Sequence, residues 1–326
     1  MEAEAKSDGF ANAGGFNRGK FRVRRYRDLR LGDAVNRGIW PMSRDLAGRS
    51  TAFVAVLCLC LWLGDWARAE EADVILVPHR AVYDFSLTKS QSHSGVLAVF
   101  GRMVYELTGS TCEGYTEKLR FVTEMTNAEG EETIADLQSS TWEEASGQRF
   151  RFNSTDLRDG KPTEDIAGDA TRVSMLGHII VELTKPDTKD LTLPERVYFP
   201  TQHVIALLNA ARKGRASFHA DVYDGSERGE KVYHTISTIG ALIPHNASHN
   251  LGAITNAERL QGLSAWPIRI SYFDPKSDRE DAGPAYEIRS VFFENGVNRE
   301  VIIDYGSFAI KGEMTKIDFL ASKQCK

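Results

Sequence analysis

Two cysteines frame the chemistry open to this chain. Cys112 sits in "TGSTCEGYTE" (108–117), flanked by glycines and followed by a strand-like run. The next cysteine is Cys325, the penultimate residue. Their spacing matches no CxxC redox or zinc pattern. Cys58 and Cys60 lie inside an apolar run, and "AVLC" and "LCLC" lack the small residues a lipidated cysteine needs before it. The histidines come next. His245 and His249 in "IPHNASHN" are four apart, which on a helix would place them on one face. Pro244, Asn246 and Asn250 make the stretch a loop, so both read as solvated loop residues. His203 falls in the first turn of a helical pattern and reads as a packing or capping residue; His79 opens the first strand and reads as structural. No G-x-S-x-G elbow, HExxH, phosphate-binding loop or dinucleotide glycine set is present. No catalytic, metal-ligating or cofactor-binding residue is assigned, and no cofactor is expected.

What the two cysteines do depends on compartment. Ala52 to Leu63 is an uncharged apolar run of 12 residues. A membrane span needs roughly 20, whereas a signal-peptide core fits this length. Arg44 and Arg49 precede the run, and Ala67-Arg68-Ala69 supplies a small-x-small cleavage pattern, so cleavage is expected after Ala69. Read from Met42, this signal has 28 residues, an ordinary length; 1–41, Gly- and Arg-rich without an apolar period, reads as a disordered or mis-assigned extension. Export leads to an oxidising compartment, where an even number of cysteines reads as a disulfide framework. Loss of Cys58 and Cys60 with the signal leaves one pairing, Cys112 with Cys325. That bridge closes a loop of about 214 residues, worth roughly 5 kcal/mol in the chain-entropy model.

The remainder, 70–326, reads as a single β-rich domain. Composition is globular, with 42% hydrophobic and 26% charged residues. Residues 1–69 hold 12 Lys plus Arg and 7 Asp plus Glu, which leaves 28 basic and 38 acidic residues, a net of −10, for the rest. An acidic body argues against nucleic acid as a partner, because phosphate binding requires clustered Lys and Arg. "GQRFRFNSTDL" alternates Phe150 and Phe152 with Arg149, Arg151 and Asn153, the period-2 pattern of a half-buried strand. Similar runs punctuated by Gly, Ser and Asn predict about 12 to 14 strands in a barrel or sandwich. Asn295-Gly296 predicts a type I′ hairpin, and Asp159-Gly160 and Asp224-Gly225 mark further turns. One stretch departs from this pattern. In "FPTQHVIALLNAARKG" (199–214), Val204, Leu207, Leu208 and Ala211 fall at helical spacing. Thr201 is the expected N-cap, Arg212 and Lys213 occupy the last turn, and Gly214 follows it. A lone helix among strands predicts a lid or plug on the barrel. An outer-membrane barrel would also explain strands after a signal, with the apolar faces turned outward. The polar character of the strands and the "QCK" ending, which lacks a terminal aromatic, favour a soluble barrel.

The helix and its surroundings carry a resemblance. "LPERVYFPTQHVIALLNAARKGRASFHADVYDGSERGEKVYHTISTIG" resembles the EipB-like family of bacterial cell-envelope integrity proteins, through Leu193-Pro194, Phe199-Pro200-Thr201, His203, Leu207-Leu208, Ala210-Ala211, Gly214 and Asp224-Gly225. "PHRAVYDFSL", "TCEGY" and the C-terminal cysteine are also similar, so the likeness spans 74–325. The resemblance implies a periplasmic protein with an open, spiral-like antiparallel β-barrel and a central helix. It also implies a disulfide between Cys112 and Cys325, and a role in maintaining the envelope without an established reaction. The expected function is therefore non-enzymatic, through binding of an envelope protein partner or an apolar, lipid-like ligand, with no membrane span left after signal removal. A lipid or lipoprotein carrier using the barrel cavity is the alternative, by analogy of fold. An envelope hydrolase is a further alternative that lacks a motif. The ligand-binding residues are not legible.

Overall fold

The computed structural model describes residues 73–174, 177–275 and 283–322. The 1–41 extension, the 42–69 signal segment with its cleavage at Ala69, and Cys325 lie outside the described residues. The described chain forms β1 (His79–Ser90), β2 (Val96–Ser110), β3 (Gly114–Asn127), β4 (Glu132–Glu143), β5 (Arg149–Arg158), β6 (Lys161–Arg172), β7 (Ile179–Lys185), β8 (Lys189–Leu193) and β9 (Val197–Tyr198). After α1 (Pro200–Arg212) come β10 (Ser217–Val222), β11 (Tyr233–Ile239), β12 (Ala265–Phe273), β13 (Tyr286–Phe293), β14 (Asn298–Asp304) and β15 (Phe308–Phe319). Fifteen strands among the described residues slightly exceed the expected number; the excess is the short β8 and β9, which carry no periodic pattern.

All fifteen strands form one sheet, ordered β8-β7-β6-β5-β4-β3-β2-β1-β15-β14-β13-β12-β11-β10-β9. The first and last described strands therefore meet in the middle of the sheet, where β1 pairs antiparallel with β15 from His79↔Phe319 to Ser90↔Phe308. The two free edges, β8 and β9, are consecutive in the chain and joined by 194–196. The result is a nearly closed barrel whose seam lies at the middle of the sequence. Every strand pair is antiparallel except β9 with β10.

Alternation decides which face is inside. On β5, Phe150 and Phe152 are buried while Arg149, Arg151 and Asn153 are exposed, as the period-2 pattern predicts. The face packed against α1 is apolar. The opposite face carries cross-strand ion pairs, Arg102–Asp84 at 2.7 Å, Arg120–Asp136 at 2.8 Å and Arg151–Asp169 at 2.8 Å. A lipid-facing wall has the reverse arrangement. No helix among the described residues is long and apolar enough to cross a membrane.

Two turn expectations resolve differently. Asp159 and Gly160 both adopt positive φ, 50° and 75°, and Arg158 pairs directly with Lys161. This is the two-residue type I′ hairpin. At Asn295-Gly296 only Gly296 has positive φ, 86°. The Gly296 amide donates to the Phe293 carbonyl at 2.9 Å and the Phe293 amide to the Val297 carbonyl at 2.8 Å. That is a three-residue loop, a turn followed by a left-handed glycine, rather than the expected type I′. The Asn295 side chain explains the choice: its Oδ1 accepts the Val297 amide at 3.1 Å, which holds Asn295 right-handed.

Candidate functional site

The meander gives the barrel two rims. One holds the ends of β2 and β4, the starts of β1, β3 and β12, and the end of β15; α1 lies there. The helix begins one residue earlier than its expected cap. Phe199 is the N-cap residue and makes no side-chain cap bond, Pro200 occupies the first turn, and Thr201 is helical. Proline suits that position because its missing N–H would be unsatisfied there anyway. The open amides are satisfied from another strand. Glu143, the last residue of β4, accepts the Thr201 amide at 2.7 Å through Oε2 and the Gln202 amide at 2.9 Å through Oε1. Glu117 on β3 accepts the Thr201 hydroxyl at 3.4 Å and also bonds Tyr105. Burial pushes the Glu143 carboxyl up to about 8, against the pull of the two amides, and the neighbouring Glu117 adds to the rise. Burial likewise raises Glu117. At the other helix end, the Gly214 amide donates to the Ala211 carbonyl at 2.9 Å and the Arg215 amide to the Ala210 carbonyl at 3.0 Å. This is a Schellman stop.

Leu207, Leu208, Ala210 and Ala211 bury the helix against Leu107, Tyr115, Ile239, Trp266, Ile268 and Phe292. The start of the described chain packs alongside, with Val74 and Leu76 in the same cluster and the Val74 amide donating to Asn209 at 3.1 Å. One barrel mouth is thus filled by α1, as the plug expectation holds.

The opposite mouth is lined differently. Tyr272 and Tyr286 stack with ring centroids 4.5 Å apart, and Tyr233 meets both edge-on at 5.8 Å. Tyr305 continues the row to Phe308 at 4.9 Å. Burial holds the Tyr272 and Tyr286 hydroxyls well above their ordinary range, so they stay protonated. Between the mouths, the inward residues Met103, Leu119, Phe121, Leu137, Ile288 and Ile303 are only half-buried. The middle of the barrel therefore carries a half-buried apolar wall, in which Met103, Phe121, Ile288 and Ile303 pack against the core around Tyr83 and Phe85. Apolar concavities with a few polar groups at the entrance are where small ligands bind. Neither Glu143 and Glu117 nor the tyrosines could be read from the sequence as partners. Glu143 lies 58 residues from the amide it accepts, and Tyr272 meets Tyr286 only through the β12–β13 register.

The expected site residues fall as follows. Cys112 occupies the β2–β3 turn at the α1 rim. His203 is buried beside Thr235, with Nε2 3.4 Å from the Thr235 hydroxyl, and burial lowers it to about 4; the packing role holds. His79 opens β1 and is buried. The solvated-loop reading of "IPHNASHN" holds for His245, which is exposed, and fails for His249. The His249 ring is 2% exposed, lies 4.9 Å from the Phe293 ring, and Nε2 is 2.7 Å from the Leu263 carbonyl oxygen. Polarity marked the segment as a loop, but the loop folds back on the barrel. Leu251 and Leu260 enter the core with Tyr83 and Phe85, and Thr255 bonds β15 at Thr315 and Ile317.

A nearly closed barrel of one long meandering sheet, with a helix following its seam strand, defines a class that comparisons with known proteins identify. The family model described as EipB-like matches residues 70–321. The chain is 34% identical over 261 residues to the cell envelope integrity protein EipB of Brucella abortus (strain 2308), covering 79% of this chain and 90% of that protein. It superimposes with a TM-score of 0.69 on the crystal structure of a beta-barrel-like protein of a domain of unknown function, also from Brucella abortus. That match has 34% identity and covers 76% of this chain and all of the other. The chain belongs to the EipB-like family.

Proposed function

We propose that this is a periplasmic, non-enzymatic protein that supports cell-envelope integrity by binding a ligand or a protein partner. The envelope role rests on the relative named for it; the binding role rests on the half-buried apolar wall between a plugged mouth and a tyrosine-lined one. Deleting the gene should sensitise the host to detergents and to antibiotics that act on the envelope, and the exported protein should restore resistance. Unchanged sensitivity would defeat the envelope role. Native mass spectrometry of protein purified from its host tests how it acts. A co-purifying acyl lipid supports the second reading, a lipid or lipoprotein carrier, which the apolar wall favours. An empty barrel together with a captured envelope protein supports the partner reading.

The export that this reading requires makes the Cys112–Cys325 disulfide its structural counterpart. Register supports the bridge. Phe319 of β15 pairs with His79, and His79 pairs with Leu107, five residues before Cys112. Neighbouring strands lie about 4.8 Å apart, so β15 and β2, with β1 between them, are two spacings or about 10 Å apart. The six residues 320–325 span up to roughly 20 Å when extended. Thiol labelling of the exported protein should find no free cysteine until reductant is added.

A further inference from the structure

The outer face of β10 and β11 holds a cluster that neither the barrel's plug nor its open mouth uses. His219 and Asp221 stand two residues apart on β10 and share a face. His234 of β11 lies directly opposite Asp221 and diagonal to His219. The two imidazole rings are 6.5 Å apart between centroids and inclined at 69°. Nδ1 of His234 lies 2.9 Å from Oδ1 of Asp221, the distance of an N–H donated to a carboxylate. Both histidines are exposed.

We propose that His219 and His234 form a divalent transition-metal site on the barrel's outer wall, with Asp221 as the positioning residue that orients His234. The carboxylate fixes the tautomer. With the proton on Nδ1 directed at Asp221, the Nε2 lone pair of His234 is left free to ligate, the carboxylate–histidine–metal arrangement common in metalloproteins. Geometry is compatible with one shared ion. With metal–nitrogen bonds of about 2.1 Å, two imidazoles on one ion have ring centres roughly 5 to 6.5 Å apart, depending on the bond angle. The observed separation sits at the wide end of that range, and small rotations of two exposed side chains close it. Ligand type selects the ion. Neutral imidazoles suit copper and zinc and are poor ligands for calcium or magnesium, and Cu2+ ranks above Zn2+ for such a site. Among the described residues no group of three or more His, Cys, Asp or Glu is arranged to hold an ion. Water therefore completes the coordination, and the site is open and exchangeable rather than a closed structural one.

Tag-free exported protein is titrated with Cu2+ and with Zn2+ by calorimetry, and the Cu2+ complex is examined by electron paramagnetic resonance. The expected result is one tight Cu2+ per chain with coupling to two imidazole nitrogens. His219→Ala and His234→Ala should each weaken Cu2+ by about a hundredfold, and Asp221→Asn by about tenfold while keeping both nitrogen couplings. All three side chains lie on the surface, so unchanged thermal unfolding of the metal-free variants separates loss of ligand from loss of fold. Two results would overturn the proposal. One is Cu2+ affinity in His219→Ala and His234→Ala equal to that of the parent. The other is a parent spectrum without coupling to two imidazoles.

Discussion

The barrel is closed at two places, and the two closures differ in kind. Where the first and last described strands meet, β1 and β15 share a backbone ladder along almost their full lengths. At the seam, β8 and β9 share none, and side chains do the joining. Phe150, Phe152, Phe199 and Tyr223 pack across it, Phe150 stacked on Phe199 at 5.0 Å and Phe152 edge-on to Tyr223 at 5.7 Å. Arg172 donates to the Val197 carbonyl at 2.6 Å and lies over the Phe199 ring. Lys189–Glu230 at 3.1 Å and Arg228–Asp187 at 3.3 Å link the β7–β8 hairpin to the β10–β11 loop. A backbone ladder tolerates substitution because every residue supplies the same groups. A seam made of side chains depends on a few particular residues. Hydrogen exchange should therefore be slowest along β1 and β15 and fastest along β8, and the opposite order would break the contrast.

Substitutions sharpen it further. The largest effect is expected at the ladder side, where Cys112→Ser removes the proposed bridge that ties the C-terminal strand down. The chain-entropy model gives a loss of roughly 5 kcal/mol for a loop of about 214 residues. Denaturant unfolding with and without reductant measures it, and reductant should leave the variant unaffected. Next is the seam. Phe199 is fully buried between Phe150 and Arg172, so Phe199→Ala should cost about 3–5 kcal/mol in denaturant unfolding. It should also speed exchange at β8 and β9 while sparing β1 and β15.

A smaller effect is expected where β4 meets the plug. Glu143→Ala leaves the Thr201 and Gln202 amides without their acceptor, at a cost of about 1–3 kcal/mol. The pH dependence there has a definite sign. Burial raises Glu143 from its ordinary 4.5 to about 8 in the folded protein. Folding thus favours the protonated form, so its contribution is complete below pH 4.5 and is lost as pH rises through about 8. Glu117 is shifted in the same direction. Stability measured from pH 5 to pH 9 should fall, and Glu143→Gln should flatten the fall. The smallest effect belongs to the seam's surface. Lys189 is half-exposed in its pair with Glu230, so Lys189→Ala should change stability by less than about 1 kcal/mol, and less still in high salt.

Much of the architecture is legible in the residues. Strand alternation at Phe150 and Phe152 gave the inward face, and the spacing of Val204, Leu207, Leu208 and Ala211 gave the helix to within a residue or two at each end. The errors share a cause. Thr201 reads as a cap because caps are judged from neighbours in sequence, and the actual acceptor is Glu143 on another strand. "IPHNASHN" reads as solvated because it is polar, and His249 is nonetheless buried by a segment that returns to the barrel. Asn295-Gly296 reads as type I′ because the pair favours it, and the Asn295 side chain selects the longer loop.

Among the described residues, the sequence by itself determined most of the strands, the helix α1 and the apolar face of each element. These follow from local periodicity and from the conformational limits of individual residues, which act within a few positions along the chain. Only the tertiary structure decided that β1 pairs with β15, that the seam falls between two consecutive strands, and that Glu143 meets Thr201. It also decided that His219, Asp221 and His234 share one patch. Those outcomes depend on strand order and register across the whole sheet, and register brings together residues whose separation along the chain carries no signal.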